Sequence, residues 1–118
     1  TFVQMQNAEG QFVAPEDEAF KAAAAGADWN KSFYQILTNQ GGKAAWPITG
    51  ATFILMHKVQ DKPQQAATAL QFFEWAYKGG DKTAADLDYV PMPETVKGQI
   101  AKSWGQIVDG AGKPIELK

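Results

Sequence analysis

The stretch from Thr52 to Lys58 is apolar on both faces that an extended chain would present, with Phe53, Ile54, Leu55 and Met56 in succession. Such a run belongs in a strand buried between layers of helices. A central strand needs a partner on each edge, and no second run of that quality follows residue 58. The sequence therefore predicts a sheet completed by something it does not itself supply, either more of the same chain or a second copy.

The rest of the pattern is that of an α/β chain. Phe2-Val3-Gln4-Met5 and Gln11-Phe12-Val13 are short extended pieces around Asn7-Ala8-Glu9-Gly10, whose Asn and Gly favour a tight turn. Pro15 suits the first position of a helix, Glu16, Asp17 and Glu18 lie at the positive end of its dipole, and the alanines from Ala22 to Ala25 propagate it. Gly26 is placed to end it in the left-handed conformation. Trp29, Phe33, Ile36 and Leu37 have helix-like spacing over residues 28–39. Gln60-Asp61-Lys62-Pro63 leads into a long helix with Ala66, Leu70, Phe73 and Tyr77 on one stripe and Ala69, Phe72 and Ala76 beside it. So wide an apolar arc predicts burial against more than one neighbour. Gly79-Gly80 ends that helix. Thr83 to Asp88 suggests a further helical turn, and Pro93-Glu94 opens a last helix carrying Val96, Ile100, Trp104 and Ile107 on one face. Phe53, Leu55, Leu70 and Phe73 are the expected core.

Charge narrows the function classes. Eleven basic residues, all Lys, face 13 acidic ones for a net charge of −2. The absence of Arg weighs against nucleic acid, whose bases and phosphates are bound bidentately by guanidinium. The absence of Cys removes disulfides, thiolate catalysis and Cys-type metal centres. No apolar run approaches the roughly 20 residues that span a bilayer. No signal-peptide pattern opens the chain, and Thr1 leads straight into strand-like sequence, which suggests a processed or cut chain.

No motif assembles a reactive site. His57, the sole His, ends the apolar run beside Lys58 and reads as a structural or incidental residue; a metal role with Asp or Glu would lack the usual second His or Cys. Gly41-Gly42-Lys43 only superficially resembles a phosphate loop, because Ala44 stands where Ser or Thr is required and Pro47 blocks a following helix. Asp81, Asp86 and Asp88 lack the spacing and central Gly of a calcium loop. Glu16-Asp17-Glu18 reads as helix-start charge rather than paired catalytic carboxylates. Asn30-Lys31-Ser32 matches a three-residue glycosylation pattern. Trp29 and Trp46 sit at breaks beside polar residues, placed either to pack over a loop or to line a cleft. The residues alone describe a non-enzymatic α/β piece with no cofactor.

Several stretches in order carry a family resemblance: Gly26-Ala27-Asp28-Trp29, Leu37-Thr38-Asn39, Ala45-Trp46-Pro47-Ile48-Thr49 running into Thr52-Phe53-Ile54-Leu55 and His57-Lys58, Phe72-Phe73-Glu74-Trp75-Ala76-Tyr77, and Leu87-Asp88-Tyr89-Val90-Pro91-Met92-Pro93. Together they resemble roughly the last third of the periplasmic phosphate-binding proteins that serve bacterial ABC phosphate importers. The resemblance implies a two-lobed α/β fold, each lobe a mostly parallel sheet flanked by helices, that is incomplete in this chain. It implies that residues 1–45 are part of the second lobe, that the chain crosses near Gly42 to Pro47, and that residues 46–118 return to the first lobe.

It also implies capture of inorganic phosphate in the cleft and delivery to the permease subunits of the transporter, in the periplasm or at the cell surface. The partners would then be phosphate, the permease and the remaining N-terminal part of the same protein. The family's phosphate ligands lie upstream of Thr1, so no phosphate-binding, catalytic or metal residue is expected in this chain. A self-sufficient small α/β interaction domain that completes its sheet by homodimerisation is the alternative.

Overall fold

The computed structural model describes residues 1–117. In chain order the elements are strands β1 (Met5–Gln6) and β2 (Phe12–Val13), helix α1 (Asp17–Ala25), strand β3 (Val59–Gln60), helices α2 (Pro63–Gly79), α3 (Asp81–Asp86) and α4 (Glu94–Ser103), a 3-10 turn at Trp104–Gln106, and strand β4 (Val108–Asp109). They divide into two compact units. One holds Thr1–Phe53 and Val90–Val96, the other Ile54–Tyr89 and Lys97–Lys118, so α4 begins in the first and continues in the second.

In the first unit β1 and β2 pair antiparallel, Met5 opposite Val13, around a turn in which Gly10 takes φ 75°. Buried Ala19, Ala23 and Ala24 of α1 form a core with Trp29, Leu37, Ala45 and Trp46. Small side chains on α1 let the two indoles approach closely, and Phe20 meets the Trp46 ring with centroids 6.1 Å apart. Residues 28–39 depart from the helix-like spacing. The indole N–H of Trp29 donates to the Ala24 carbonyl at 2.7 Å, the Ser32 hydroxyl accepts from the Tyr34 amide, and Gln35 donates to the carbonyls of Asp28 and Ser32. Side-chain bonds of this kind compete with helical ones. The chain instead turns at residues 29–31 and follows an irregular path to an isolated bridge between Thr38 and Ile48. Gly26 also differs from expectation. Its φ is −72°, and its lack of a side chain serves a close approach, since a Cβ there would lie 2.8 Å from the Gly41 carbonyl oxygen.

In the second unit β3 and β4 pair in parallel, Val59 opposite Val108. Ala66 and Leu70 of α2 are buried, and Phe73 and Tyr77 of the same stripe are half-buried. Tyr77 stacks on Trp104 at 6.2 Å with ring planes 15° apart. Burial pushes the Tyr77 phenol up from its ordinary value, an effect partly offset by the nearby Lys97 cation. Phe72, expected beside the apolar stripe, is exposed and touches the rings of Phe73 and Trp75.

The apolar segment is where sequence and structure differ most. Ladder pairing begins only at Val59, and residues 51–58 lie in no strand. Phe53 and Leu55, expected in the core, are 42% and 92% exposed. A strand is defined by its neighbours, and among the described residues the parallel neighbour, Val108–Asp109, reaches only Val59 and Gln60. The result is a mixed α/β arrangement with a small parallel pair and helices.

Leu70, at 0% exposure, is the largest fully buried side chain of the described residues. Leu70→Ala in the intact protein is expected to lower stability by about 2–5 kcal/mol through lost burial and the cavity left behind. Lys82→Ala, at a surface ion pair with Asp86, is expected to cost less than about 1 kcal/mol. Denaturant titration of both variants checks the pair, and equal midpoints would overturn the assignment of the α2 face.

Candidate functional site

The best-built polar centre is in the first unit, at the turn after β1. Asn7 is 6% exposed and all of its side-chain capacity is used. Its amide nitrogen donates to the carbonyls of Gly42, Lys43 and Ala45 at 3.2, 2.9 and 3.3 Å. Its side-chain oxygen accepts from the amides of Glu9 and Gln11 at 3.0 Å each. Five groups thus converge on one carboxamide, joining the hairpin turn to a loop more than thirty residues away. The loop is held further along as well. The Trp46 amide donates to the Ala19 carbonyl of α1, the Asn39 amide to Pro47, and the Thr49 hydroxyl to Trp46. Gly42 at φ 124° and Asn39 at φ 53° complete its shape.

This arrangement has the wrong polarity for an anion. A phosphate loop turns amide N–H groups toward its ligand, whereas here the carbonyl oxygens around Gly41-Gly42-Lys43 converge and are met by an amide donor. The other sequence candidates are dispersed. His57 is exposed, and its carbonyl accepts from the Gln60 side chain. Asp81 meets Lys97 through both carboxylate oxygens at 2.7 Å, Asp86 pairs with Lys82, and Asp88 sits at φ 61° closing α3. Glu16 precedes α1, Asp17 and Glu18 begin it, and Glu18 pairs with Lys21. Asn30-Lys31-Ser32 lies in the exposed turn after α1. Trp29 and Trp46 are 6% and 4% exposed and are packing residues of the first unit. Among the described residues no group of three His, Asp or Glu side chains is placed to hold a metal ion, and no helix is long and apolar enough to cross a membrane.

In the second unit a shallow cavity of about 180 Å³ is lined by Pro63, Gln64, Asp109, Lys113, Ile115 and Glu116, among others. Its carboxylates make it unsuited to an anion. Asp109 accepts from the amides of Ala111 and Lys113 within its own turn, and Lys113 is paired with Glu116 at 2.9 Å. That ion pair raises the Lys113 ammonium and lowers the Glu116 carboxyl from their usual values.

The buried amide of Asn7 and the buried ammonium of Lys97 escaped the sequence reading. Asn-x-x-Gly announces a turn and does not announce what the Asn amide reaches. Lys97 lies beside Val96 on a helix, and only packing against Tyr77 and Asp81 tells it from a surface lysine.

No family model matches the chain. Individual proteins do. It is 46% identical over 105 residues to the phosphate-binding protein PstS of Pasteurella multocida, a match covering 87% of this chain and 30% of that protein. It is 44% identical to the PstS of Haemophilus influenzae over 87% of this chain and 31% of the relative. It is 44% identical to that of Xylella fastidiosa 9a5c over 88% and 29%. The chain is PstS-like over most of its length. It spans about 30% of the length of the relatives it matches. The helices and the parallel β3–β4 pair are compatible with part of an α/β periplasmic-binding-protein fold.

The close approach at Gly26 separates two kinds of glycine. Gly98 lies within α4 with nothing within 4 Å of a Cβ position, so Gly98→Ala is expected to stabilise by about 0.5–1 kcal/mol. Gly26→Ala drives a methyl into the Gly41 carbonyl and is expected to destabilise by about 1–3 kcal/mol. Chemical denaturation of the two variants reads opposite signs if the contact is as described.

Proposed function

We propose that this chain is the C-terminal third of a phosphate-binding protein of the PstS type. The intact protein captures inorganic phosphate outside the cytoplasmic membrane and hands it to the permease subunits of an ABC transporter. The observation that carries this reading is the 46% identity over 105 residues to a protein of that name. In this reading residues 1–45 belong to the second lobe and 46–118 to the first, and the chain's role is scaffold and connection.

The chemistry of the side chains agrees with a scaffold role. Tight capture of a phosphate dianion takes several convergent donors in a desolvated site, with guanidinium favoured for bidentate contact. The chain has no Arg. Lys21, Lys78, Lys82, Lys97 and Lys113 are each held by an acidic neighbour. The relatives are named as binding proteins, which supports a binding role.

The isolated 118-residue chain and the intact protein are expected to behave differently in calorimetric titration with inorganic phosphate at physiological salt. The intact protein binds tightly, and the isolated chain gives no binding at micromolar concentration. Micromolar binding by the monomeric isolated chain would place the site in these residues and overturn the scaffold assignment. A stable phosphate-indifferent dimer would favour the small interaction domain.

A further inference from the structure

Strand β3 has two edges, and β4 pairs with one of them. The Val108 amide donates to the Lys58 carbonyl at 2.9 Å, with Val59 opposite Val108 in parallel register. Successive residues of a strand direct their backbone groups to alternate edges. Lys58 and Gln60 therefore address β4, and the N–H and C=O of Val59 address the other edge. The same pleat continued back to Ile54 brings the backbone groups of Leu55 and His57 to that edge as well. All of these residues belong to the second unit.

This edge is apolar and closed by a makeshift contact. Ile54, Leu55 and Val59 are 56%, 92% and 54% exposed. The His57 carbonyl accepts from the side chain of Gln60 at 2.6 Å, a bond between near neighbours that an adjoining strand would replace with its own amide.

We propose that the edge of residues 54–60 facing away from β4 is the docking site for a strand of the protein upstream of Thr1, with residues 54–58 a central strand of the intact molecule. The proposal rests on the proposed function, in which this chain is the C-terminal third and the rest of the protein precedes it.

The chemistry of the run selects this occupant over a second copy. Side chains of Ile54 and Leu55 point to opposite faces of an extended chain, so the run needs a layer on each face as well as a neighbour along its edge. Two copies joined edge to edge would pair the backbone and add no layer above or below it, leaving Ile54 and Leu55 in water. The chain spans about 30% of the length of its relatives, so the remainder is long enough to bring a strand and its covering layers together. The remainder is also covalently attached, and its effective concentration at the edge is then of the order of millimolar.

Photo-crosslinking of the intact protein from position 55 identifies the occupant. A diazirine analogue of leucine is close to leucine in size, and at Leu55 it is expected to join, within one molecule, to a peptide from upstream of Thr1. Crosslinks confined to residues 1–118 would overturn the proposal, as would quenching by water alone. A crosslink between two molecules would assign the edge to a second copy and overturn it equally. Hydrogen exchange on the unmodified monomer reads the backbone. The amides of Leu55, His57 and Val59 are expected to exchange about 100-fold or more slower than in an unstructured chain, and exchange at the unstructured rate would overturn the docking site. Calorimetry with inorganic phosphate on the same preparation separates the two readings. No heat overturns the phosphate function while crosslinking and exchange still decide the edge, and normal heat with an unprotected edge overturns the docking site alone.

Discussion

Every backbone amide and carbonyl taken out of water must find a partner, and much of this structure follows from where the chain can and cannot supply one. At residues 51–58 it cannot. The side chains favour burial, but among the described residues the neighbouring strand reaches only Val59 and Gln60. Burying Leu55 without pairing its backbone would leave an N–H and a C=O each unsatisfied at roughly 1–3 kcal/mol apiece, which offsets the roughly 1.5–3 kcal/mol that burying the side chain gains. The segment accordingly lies open with Leu55 at 92% exposure.

Residues 42–45 show the opposite solution. Their carbonyls are also outside any ladder, yet the buried Asn7 side chain donates to three of them, although only Ala45 of the four residues is itself buried. A carboxamide is suited to this, having two N–H donors and an oxygen with two lone pairs, and Asn7 uses both ends. The small residues of α1 belong to the same solution. Ala19, Ala23 and Gly26 bring the helix close enough for Trp46 N–H to reach the Ala19 carbonyl and for the Gly41 backbone to rest against Gly26.

Features set by local chemistry were legible in the sequence. The hairpin around Asn7–Gly10, the start of α1 after Pro15, the span of α2 from Pro63 to Gly79 and the burial of Leu70 all depend on neighbours close along the chain. Phe53, Leu55 and Phe72 were misread because their burial depends on partners that periodicity does not identify. Residues 28–39 were misread for a related reason. Their apolar spacing fits a helix, but Trp29 and Leu37 are buried from an irregular path fixed by Ser32, Gln35 and the indole N–H. The candidate site was the least legible part. Asn7 was visible as a turn residue, and the contacts that give it a second role lie at residues 42–45.

These two solutions adjoin each other along the chain. A segment whose backbone is fully paired resists bending, because each dihedral change breaks a buried bond. A segment whose backbone is bonded only to water bends at little cost, because water re-forms whatever is broken. Glycine alone does not locate such a place: Gly41 and Gly42 have the freedom of their type and are held by Gly26 and Asn7.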